Sequence, residues 1–156
     1  MAKPTNREIV DRYLAAMPGD QETLRSLRHE QFVEDWPQSG ERIRGAQHAY
    51  DIHAHYPGGL PSGGVERVVG SEDRWVMTPT YTLLRVSGTG DVYTALLRAR
   101  YADGSEWWVT TFLELRDAKI FRTTTLFAPE LEAPEWRAQW VERIPDSGSE
   151  KPLAPR

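Results

Sequence analysis

The N-terminal part of the chain places apolar residues at the spacing of amphipathic helices. Thr5 stands three residues before Glu8, which predicts a capping box at the start of a first helix. Asp20 is placed to cap a second helix, and a third is predicted over residues 46–56, where Pro57 ends it. The apolar face of the first helix consists of Ile9, Val10, Tyr13, Leu14 and Met17.

From Val65 onward, apolar and polar residues alternate with the period of β-strands. Short turn sequences such as residues 102–104 separate the strands, and turns of this length join antiparallel neighbours. Two brief strands are also predicted earlier, at residues 32–35 and 41–44. The later strands are predicted at residues 65–69, 74–77, 80–86, 91–101, 106–116 and 119–127.

Helices followed by a long antiparallel meander are typical of α+β domains, and a long twisted sheet curls to leave a concave face. We therefore predict an α+β fold with a cone-shaped, curved antiparallel sheet that is closed by the N-terminal helices. A short C-terminal helix begins at Pro134 and carries Trp136 and Trp140 one turn apart. The predicted organisation is a single domain over residues 1–144 and a disordered, proline-rich tail over residues 145–156.

Composition and charge exclude several classes of protein. The chain has 19 Lys and Arg against 23 Asp and Glu, a net charge of −4, so it lacks the basic surface that nucleic-acid binding requires. It has no cysteine for a disulfide, a thiolate nucleophile or a zinc ribbon. No apolar stretch approaches the ~18 residues that cross a bilayer, and no secretory signal is visible. We expect a soluble, cytoplasmic protein with neither nucleic-acid nor membrane partners.

The sequence shows no motif for a cofactor or a metal. His48, Asp51 and His55 share the wetter face of the third helix, where solvated polar residues are the usual pattern. The loop at residues 58–64 is rich in glycine but lacks the Lys and Ser/Thr of a phosphate-binding loop. We expect neither a metal ion nor an organic cofactor.

Three residues are candidates for catalysis. Asp35 precedes Trp36, and a carboxylate held against an indole in a dry cleft has the raised pKa that suits a general base. The alternative is that Asp35 caps the turn at residues 37–40 in water. Tyr13 and His53 lie on the apolar faces of their helices. Tyr13 is either a donor to a substrate oxygen or a core tyrosine, and His53 is either a structural residue or one that orients Tyr13 or shuttles a proton.

The concave face of the predicted sheet has the composition of a ligand pocket, which a filled core shares. Trp107 and Trp108 lie on opposite faces of their strand, so one of the two indoles faces the pocket. The predicted pocket-lining residues are Trp36, Ile52, Tyr56, Tyr93, Leu97, Thr111, Leu113, Phe121, Thr123, Thr125 and Phe127.

An ordered series of short motifs resembles the nuclear transport factor 2-like superfamily, in its SnoaL-like and ketosteroid isomerase-like branch. The resemblance covers residues 5–128. It rests on residues 12–16 (RYLAA), 33–35 (VED) and 39–40 (SG), and on the ending from Lys119 to Phe127. The segment at residues 129–142 is similar to one uncharacterised bacterial subgroup of this superfamily.

The resemblance implies a cone that holds an apolar ligand, and a homodimer that packs through the convex face of the sheet. It places the general base at Asp35 and the donor to the enolate oxygen at Tyr13. It also places a supporting residue at His53. Thr111 occupies the position of a second donor, which in the ketosteroid isomerases is a protonated carboxylic acid, so steroid isomerisation itself does not follow.

Two functions are consistent with these residues. The first is a cofactor-independent isomerase, cyclase or dehydratase that acts next to a carbonyl of a polyketide- or terpenoid-like compound. The second is a non-catalytic module of the same fold that binds a ligand or associates with a protein. An open cone favours the enzyme, whereas a cone filled by Trp107 or Trp108, Phe121 and Phe127 favours the module.

Overall fold

The helices lie at the N-terminal end of the chain and pack against the sheet that follows. The computed structural model describes residues 2–71, 74–77, 83–86 and 89–144. The helices are α1 (Asn6–Ala16), α2 (Gln21–Leu27) and α3 (Gly45–Ala54). The strands are β1 (Arg28–Trp36), β2 (Glu41–Arg44), β3 (Ser62–Gly70), β4 (Arg74–Met77), β5 (Leu83–Val86), β6 (Val92–Arg100), β7 (Glu106–Arg116) and β8 (Lys119–Pro129).

Side chains cap the first two helices as their sequence predicts. The Thr5 hydroxyl accepts the N–H of Glu8, and the Glu8 carboxylate accepts the N–H of Thr5 at 2.7 Å, which completes the capping box. Asp20 accepts the N–H of Thr23 at 3.1 Å. These bonds satisfy backbone donors that a helix start leaves unpaired.

Six strands form one curved, unclosed sheet in the order β2-β1-β8-β7-β6-β3. The predicted α+β fold is confirmed, and β6, β7 and β8 form the predicted antiparallel meander. The structure differs from a purely antiparallel sheet at one place, because β1 pairs with β8 in parallel. β4 and β5 form a separate two-stranded hairpin, and part of the predicted strand at residues 80–86 lies outside the described residues.

Alternation along the strands separates the face that contacts the helices from the outer face. On β7, Thr111 and Leu113 are buried, whereas Phe112 between them is 40% exposed. The inward residues of the sheet form one buried cluster with the helices at the narrow end of the cone. Its largest fully buried side chains are Phe32, Ile9, Leu24, Leu113, Ile120 and Val10.

The C-terminal segment forms the predicted short helix, as a 3-10 helix. Pro134 precedes a short 3-10 helix (Glu135–Trp140), in which Trp136 and Trp140 are 71% and 72% exposed. Both indoles therefore face solvent and do not cover the cone. The tail predicted at residues 145–156 lies outside the described residues.

Candidate functional site

The concave face of the sheet encloses an open cavity of about 1050 Å³, bounded by the end of α1, by α3 and by residues 57–65. Most of its wall is apolar. Trp107 and Phe127 form part of that wall and leave the cavity open. The apolar residues around it include Leu14, Met17, Trp36, Ile52, Tyr56, Leu60, Leu97, Tyr101, Trp107, Val109 and Phe127.

Glu34 brings a carboxyl group to this apolar wall. Its Oε1 accepts the indole N–H of Trp36 at 3.1 Å and the hydroxyl of Thr125 at 3.3 Å. Its Oε2 has no hydrogen-bond partner in the part of the chain that the structure describes. Burial raises the pKa of Glu34, against the smaller lowering effects of the Trp36 bond, the Arg28 charge and the Thr125 bond.

Two threonines extend the hydrogen bonding of Glu34 across the sheet. The Thr111 and Thr125 hydroxyls are 3.2 Å apart, and both residues line the cavity. Thr125 has one hydroxyl proton and donates it to Glu34, so Thr111 must donate to Thr125. The result is a relay from β7 through β8 to the carboxyl group on β1.

Asp35, the base expected from the sequence, points the other way. Arg42 on β2 holds it with two hydrogen bonds, from Nε at 2.5 Å and from Nη2 at 2.8 Å. The Arg42 hydrogen bond lowers the pKa of Asp35, with smaller lowering effects from the charges of Arg42, Arg122 and Arg44, so the raised pKa that we expected is not found. Asp35 is also not among the described residues that line the cavity.

The exchange of Asp35 for Glu34 follows from the alternation of side chains along β1. The sequence pattern ended this strand at residue 35, but the structure continues it through Trp36. Neighbours on a strand face opposite sides, so Asp35 cannot share a face with Trp36, whereas Glu34 can. Applying the alternation to Trp36 would have identified Glu34 from the sequence.

Tyr13 lies in the core beside the cavity and is not among the described residues that line it. Its hydroxyl oxygen accepts hydrogen bonds from Nε and Nη2 of Arg28, at 3.2 and 3.1 Å. Burial raises the pKa of Tyr13 to about 12. The expected donor to a ligand oxygen is therefore a core residue, paired with a buried arginine that the sequence analysis did not identify.

His53 lines the cavity from the last turn of α3. Its Nδ1 lies 2.9 Å from Nε2 of Gln21, at the start of α2. Burial, followed by the charge of Arg28, lowers the pKa of His53. The ring is therefore neutral at physiological pH, which keeps one nitrogen as a donor and one as an acceptor.

The predicted pocket-lining residues divide into two groups. Those that line the cavity are Trp36, Ile52, Tyr56, Leu97, Thr111, Thr125 and Phe127, together with Trp107 as the inward indole. Tyr93, Leu113 and Thr123 are instead buried below it, because helix side chains fill the narrow end of the cone.

Phe121 lies outside the cavity because β8 is irregular at this residue. Leu115 pairs with Ile120 and Glu114 pairs with Arg122, so Phe121 has no partner on β7. An extra residue of this kind shifts the alternation of the strand. Phe121 consequently packs edge-on against His29, with the Arg116 guanidinium 3.7 Å from its ring centroid.

The mouth of the cavity is formed by aromatic rings and by the glycine-rich loop. Tyr56 stacks on Tyr101 with ring centroids 6.2 Å apart, and Trp107 meets Tyr101 edge-on at 5.8 Å. Arg98 borders the cavity, but its guanidinium lies 5.0 Å from the ring centroid of Trp108 on the outer face of the sheet, where Glu106 and Glu130 form ion pairs with it at 2.7 and 2.6 Å. The mouth is thus apolar and aromatic, and the Arg98 guanidinium does not face it.

The described residues contain no group of three or more His, Asp or Glu side chains that could hold a metal ion. None of the described helices has both the length and the apolar character that a membrane crossing requires.

Comparison with known proteins rests on structure alone, since no protein-family model and no curated protein matches the chain. A nuclear transport factor 2-like protein of unknown function from Burkholderia xenovorans is 26% identical, with a TM-score of 0.70 over 89% of this chain and 94% of its own. A Kribbella flavida protein, named as a proposed ketosteroid isomerase, is 21% identical, with a TM-score of 0.63 over 91% of each chain. A nuclear transport factor 2-like protein of unknown function from Mesorhizobium loti is 21% identical, with a TM-score of 0.57 over 79% of this chain and 90% of its own. The chain therefore has the fold of the nuclear transport factor 2-like superfamily, as its short motifs predict.

Proposed function

We propose that the protein is a cofactor-independent enzyme that moves a proton next to the carbonyl group of a small apolar compound. Isomerisation, cyclisation and dehydration all contain this step. The observation that carries the proposal is the Glu34 carboxyl group in the wall of an apolar cavity, with one oxygen held by Trp36 and Thr125 and the other without a partner among the described residues. Glu34 is the general base in this mechanism, in place of Asp35.

The environment of Glu34 matches the requirements of a general base. Burial raises the pKa of its carboxyl group, which strengthens the carboxylate as a proton acceptor. The bonds from Trp36 and Thr125 fix Oε1, so Oε2 is the atom that receives the proton. A carboxylate in this position accepts the proton without a metal or an organic cofactor.

The cavity wall favours an uncharged substrate of the polyketide or terpenoid kind. Arg98 is the single Arg or Lys among the described residues that line it, and its guanidinium packs over Trp108 on the outer face of the sheet, paired with Glu106 and Glu130. A substrate carboxylate or phosphate would lose its hydration without gaining a counter-ion, which is costly. Rings and alkyl groups instead pack on Tyr56, Tyr101 and Trp107.

The size of the cavity supports the enzyme over a filled association module. About 1050 Å³ lies just above the roughly 300–1,000 Å³ that is typical of ligand pockets. Of the four aromatic residues expected to fill the cone, Trp107 and Phe127 form its wall, and Trp108 and Phe121 are not among its lining residues.

Proton exchange with solvent tests the role of Glu34 before the natural substrate is known. The purified protein is incubated in heavy water with bicyclic and tricyclic ketones such as 2-tetralone, and deuterium uptake next to the carbonyl is measured above the buffer rate. We expect Glu34→Gln to lose on the order of 10²–10⁴ of the acceleration, the usual contribution of general acid–base catalysis. Asp35→Asn, the matched change one residue away, should retain it within a few-fold.

The outcomes of this experiment separate the two functions. Equal exchange by wild type and Glu34→Gln would refute Glu34 as the base, and loss in Asp35→Asn alone would restore Asp35. Ketones that bind and raise the melting temperature of the wild type, without exchange, would favour a non-catalytic ligand-binding module.

A further inference from the structure

One ring nitrogen of His53 is paired with the protein, and the residue lines the cavity. Nδ1 lies 2.9 Å from Nε2 of Gln21. The ring borders the cavity, and its Nε2 has no partner among residues 2–71, 74–77, 83–86 and 89–144. Which of the two nitrogens carries the proton decides whether the cavity meets a donor or an acceptor.

A second hydrogen bond of Gln21 determines which nitrogen of His53 carries the proton. The same amide nitrogen donates to the carbonyl oxygen of Pro18 at 2.5 Å. A rotated amide would place Oε1 of Gln21 against that carbonyl oxygen, two acceptors in contact, so the nitrogen must occupy this position. Both N–H groups of Gln21 are then used, one on Pro18 and one on Nδ1 of His53.

A nitrogen that accepts a hydrogen bond carries no proton, so the proton of a neutral His53 resides on Nε2. The positive charge of Arg28, on β1, disfavours a second proton on the His53 ring. Arg28 is 6% exposed, its guanidinium donates to the Tyr13 hydroxyl, and it acts on His53 as a buried positive charge. Gln21 from α2 adds two further donors and no negative charge.

We propose that Gln21 is a positioning residue that holds His53 as a neutral Nε2–H donor toward the cavity, so that His53 binds the carbonyl oxygen of the ligand and does not act as a base. The location of the donor proton stands on the geometry alone. Its use on a carbonyl oxygen rests on the proposed function.

The two groups then have separate parts in one balanced proton transfer. The Glu34 carboxylate takes a proton from the carbon next to the carbonyl, and the electrons of the broken C–H bond form the C=C bond of an enolate. Negative charge gathers on the carbonyl oxygen, where the Nε2–H of His53 stabilises it. Glu34, now a carboxylic acid, returns the proton to carbon, on a different atom in an isomerisation.

The experiment is a ¹⁵N NMR measurement of the histidine rings in the wild-type protein, which needs no substrate. Long-range ¹H–¹⁵N correlations distinguish the two neutral tautomers, and the His53 signals are assigned as those missing from His53→Asn. We expect a neutral ring that is protonated on Nε2. A ring protonated on Nδ1, or a doubly protonated ring at neutral pH, would overturn the proposal.

Gln21→Glu tests the positioning role, because a carboxylate accepts hydrogen bonds and cannot donate to Nδ1. We expect the proton of His53 to move to Nδ1, and Glu22→Gln, an exposed change on the same turn, to leave His53 as in the wild type. An unchanged ring in Gln21→Glu would refute Gln21 as the positioning residue. If that variant does not fold, Gln21→Met removes the donor and should yield a mixture of both tautomers.

This result is independent of turnover. If the ring carries its proton on Nε2 and no ketone exchanges, the proposed enzyme fails while the positioning of His53 stands. If ketones exchange through Glu34 but the ring is protonated on Nδ1, the positioning fails while the proposed enzyme stands.

Discussion

Trp36 donates its indole N–H to the Glu34 carboxyl group, two residues earlier on the same strand, at 3.1 Å. Residues two apart on a strand share a face, so both side chains line the cavity and Asp35 between them faces outward. Two adjacent carboxyl groups thus have opposite electrostatic environments. Burial raises the pKa of Glu34, and the hydrogen bond from Arg42 lowers that of Asp35.

These opposite shifts predict opposite effects of two matched substitutions on stability. Above its unfolded pKa of about 4.3, Glu34 is charged in the unfolded chain, and folding moves that charge into a buried site that disfavours it. The contribution of Glu34 to stability therefore falls as the pH rises through its folded pKa. Glu34→Gln keeps the acceptor for Trp36 and should unfold at a higher temperature than the wild type at neutral pH. The gain is about 1.4 kcal/mol for each unit by which the pKa is raised, and it disappears in acid.

Asp35→Asn should change stability in the other direction. Because the folded pKa of Asp35 is depressed, its stabilising effect is present above the unfolded pKa of about 3.9 and is lost as pH falls through the folded value. The variant should therefore melt slightly below the wild type at neutral pH and match it in strong acid. Melting temperatures of both variants from about pH 3 to pH 8 provide the check, and shifts of the same sign would contradict the assignment.

Removing the indole donor should raise the pKa of Glu34 further. The Trp36 bond stabilises the charged carboxylate, so Trp36→Phe leaves burial less opposed while an aromatic ring still fills the wall. Titration of the ¹³C carboxyl signal of Glu34, assigned with Glu34→Gln, measures this shift. Trp107→Phe is the control, because its indole N–H donates to Ser105 and not to Glu34. A lower pKa in Trp36→Phe would show that the indole does not stabilise the charge.

The outer face of the sheet predicts how two copies associate. Val69, Val92, Phe112 and Leu126 are each between 38% and 48% exposed there, an apolar surface that suits the homodimer expected from the family resemblance. Phe112→Glu should weaken a dimer at least tenfold, measured by light scattering across a dilution series. Trp136→Glu, on the exposed C-terminal turn, should not. A wild type that is monomeric at every concentration would reject this dimer.

The sequence predicts the fold better than it predicts the site, for physical reasons. The capping box at Thr5 and the short hairpin turns are local, so their residue types determine the elements around them. The parallel pairing of β1 with β8 joins segments far apart in the chain, which no local pattern encodes. That pairing brings Thr125 to Glu34 and thereby completes the candidate site.

Single-residue irregularities explain the remaining differences in the site. Alternation along β1 places Glu34, and not Asp35, on the face of Trp36 and so in the cavity. The irregularity in β8 removed Phe121 from the inward row. The sequence analysis missed Gln21, which is hydrogen-bonded to His53, and Arg28, which donates to Tyr13. A helical or strand period carries no signal for such pairs.

The rim of the cavity depends on one glycine that no other residue can replace. A Cβ atom at Gly63 would overlap the carbonyl oxygen of Arg98 on the neighbouring strand β6, and backbone of this kind cannot rotate away. Gly63→Ala should therefore force β3 away from β6 and cost roughly 1–3 kcal/mol of unfolding free energy, the usual range for overpacking. Denaturant unfolding measures this loss.

Gly64 provides the matched control for this prediction. It is the next residue along β3 and also lines the cavity, but a Cβ atom there meets nothing within 4 Å. Gly64→Ala should leave stability unchanged or raise it slightly, because alanine loses less backbone entropy than glycine on folding. Equal stability of the two alanine variants would mean that β3 does not approach β6 as closely as the structure places it. A loss confined to Gly63→Ala would instead confirm that this strand pair fixes the rim of the cavity.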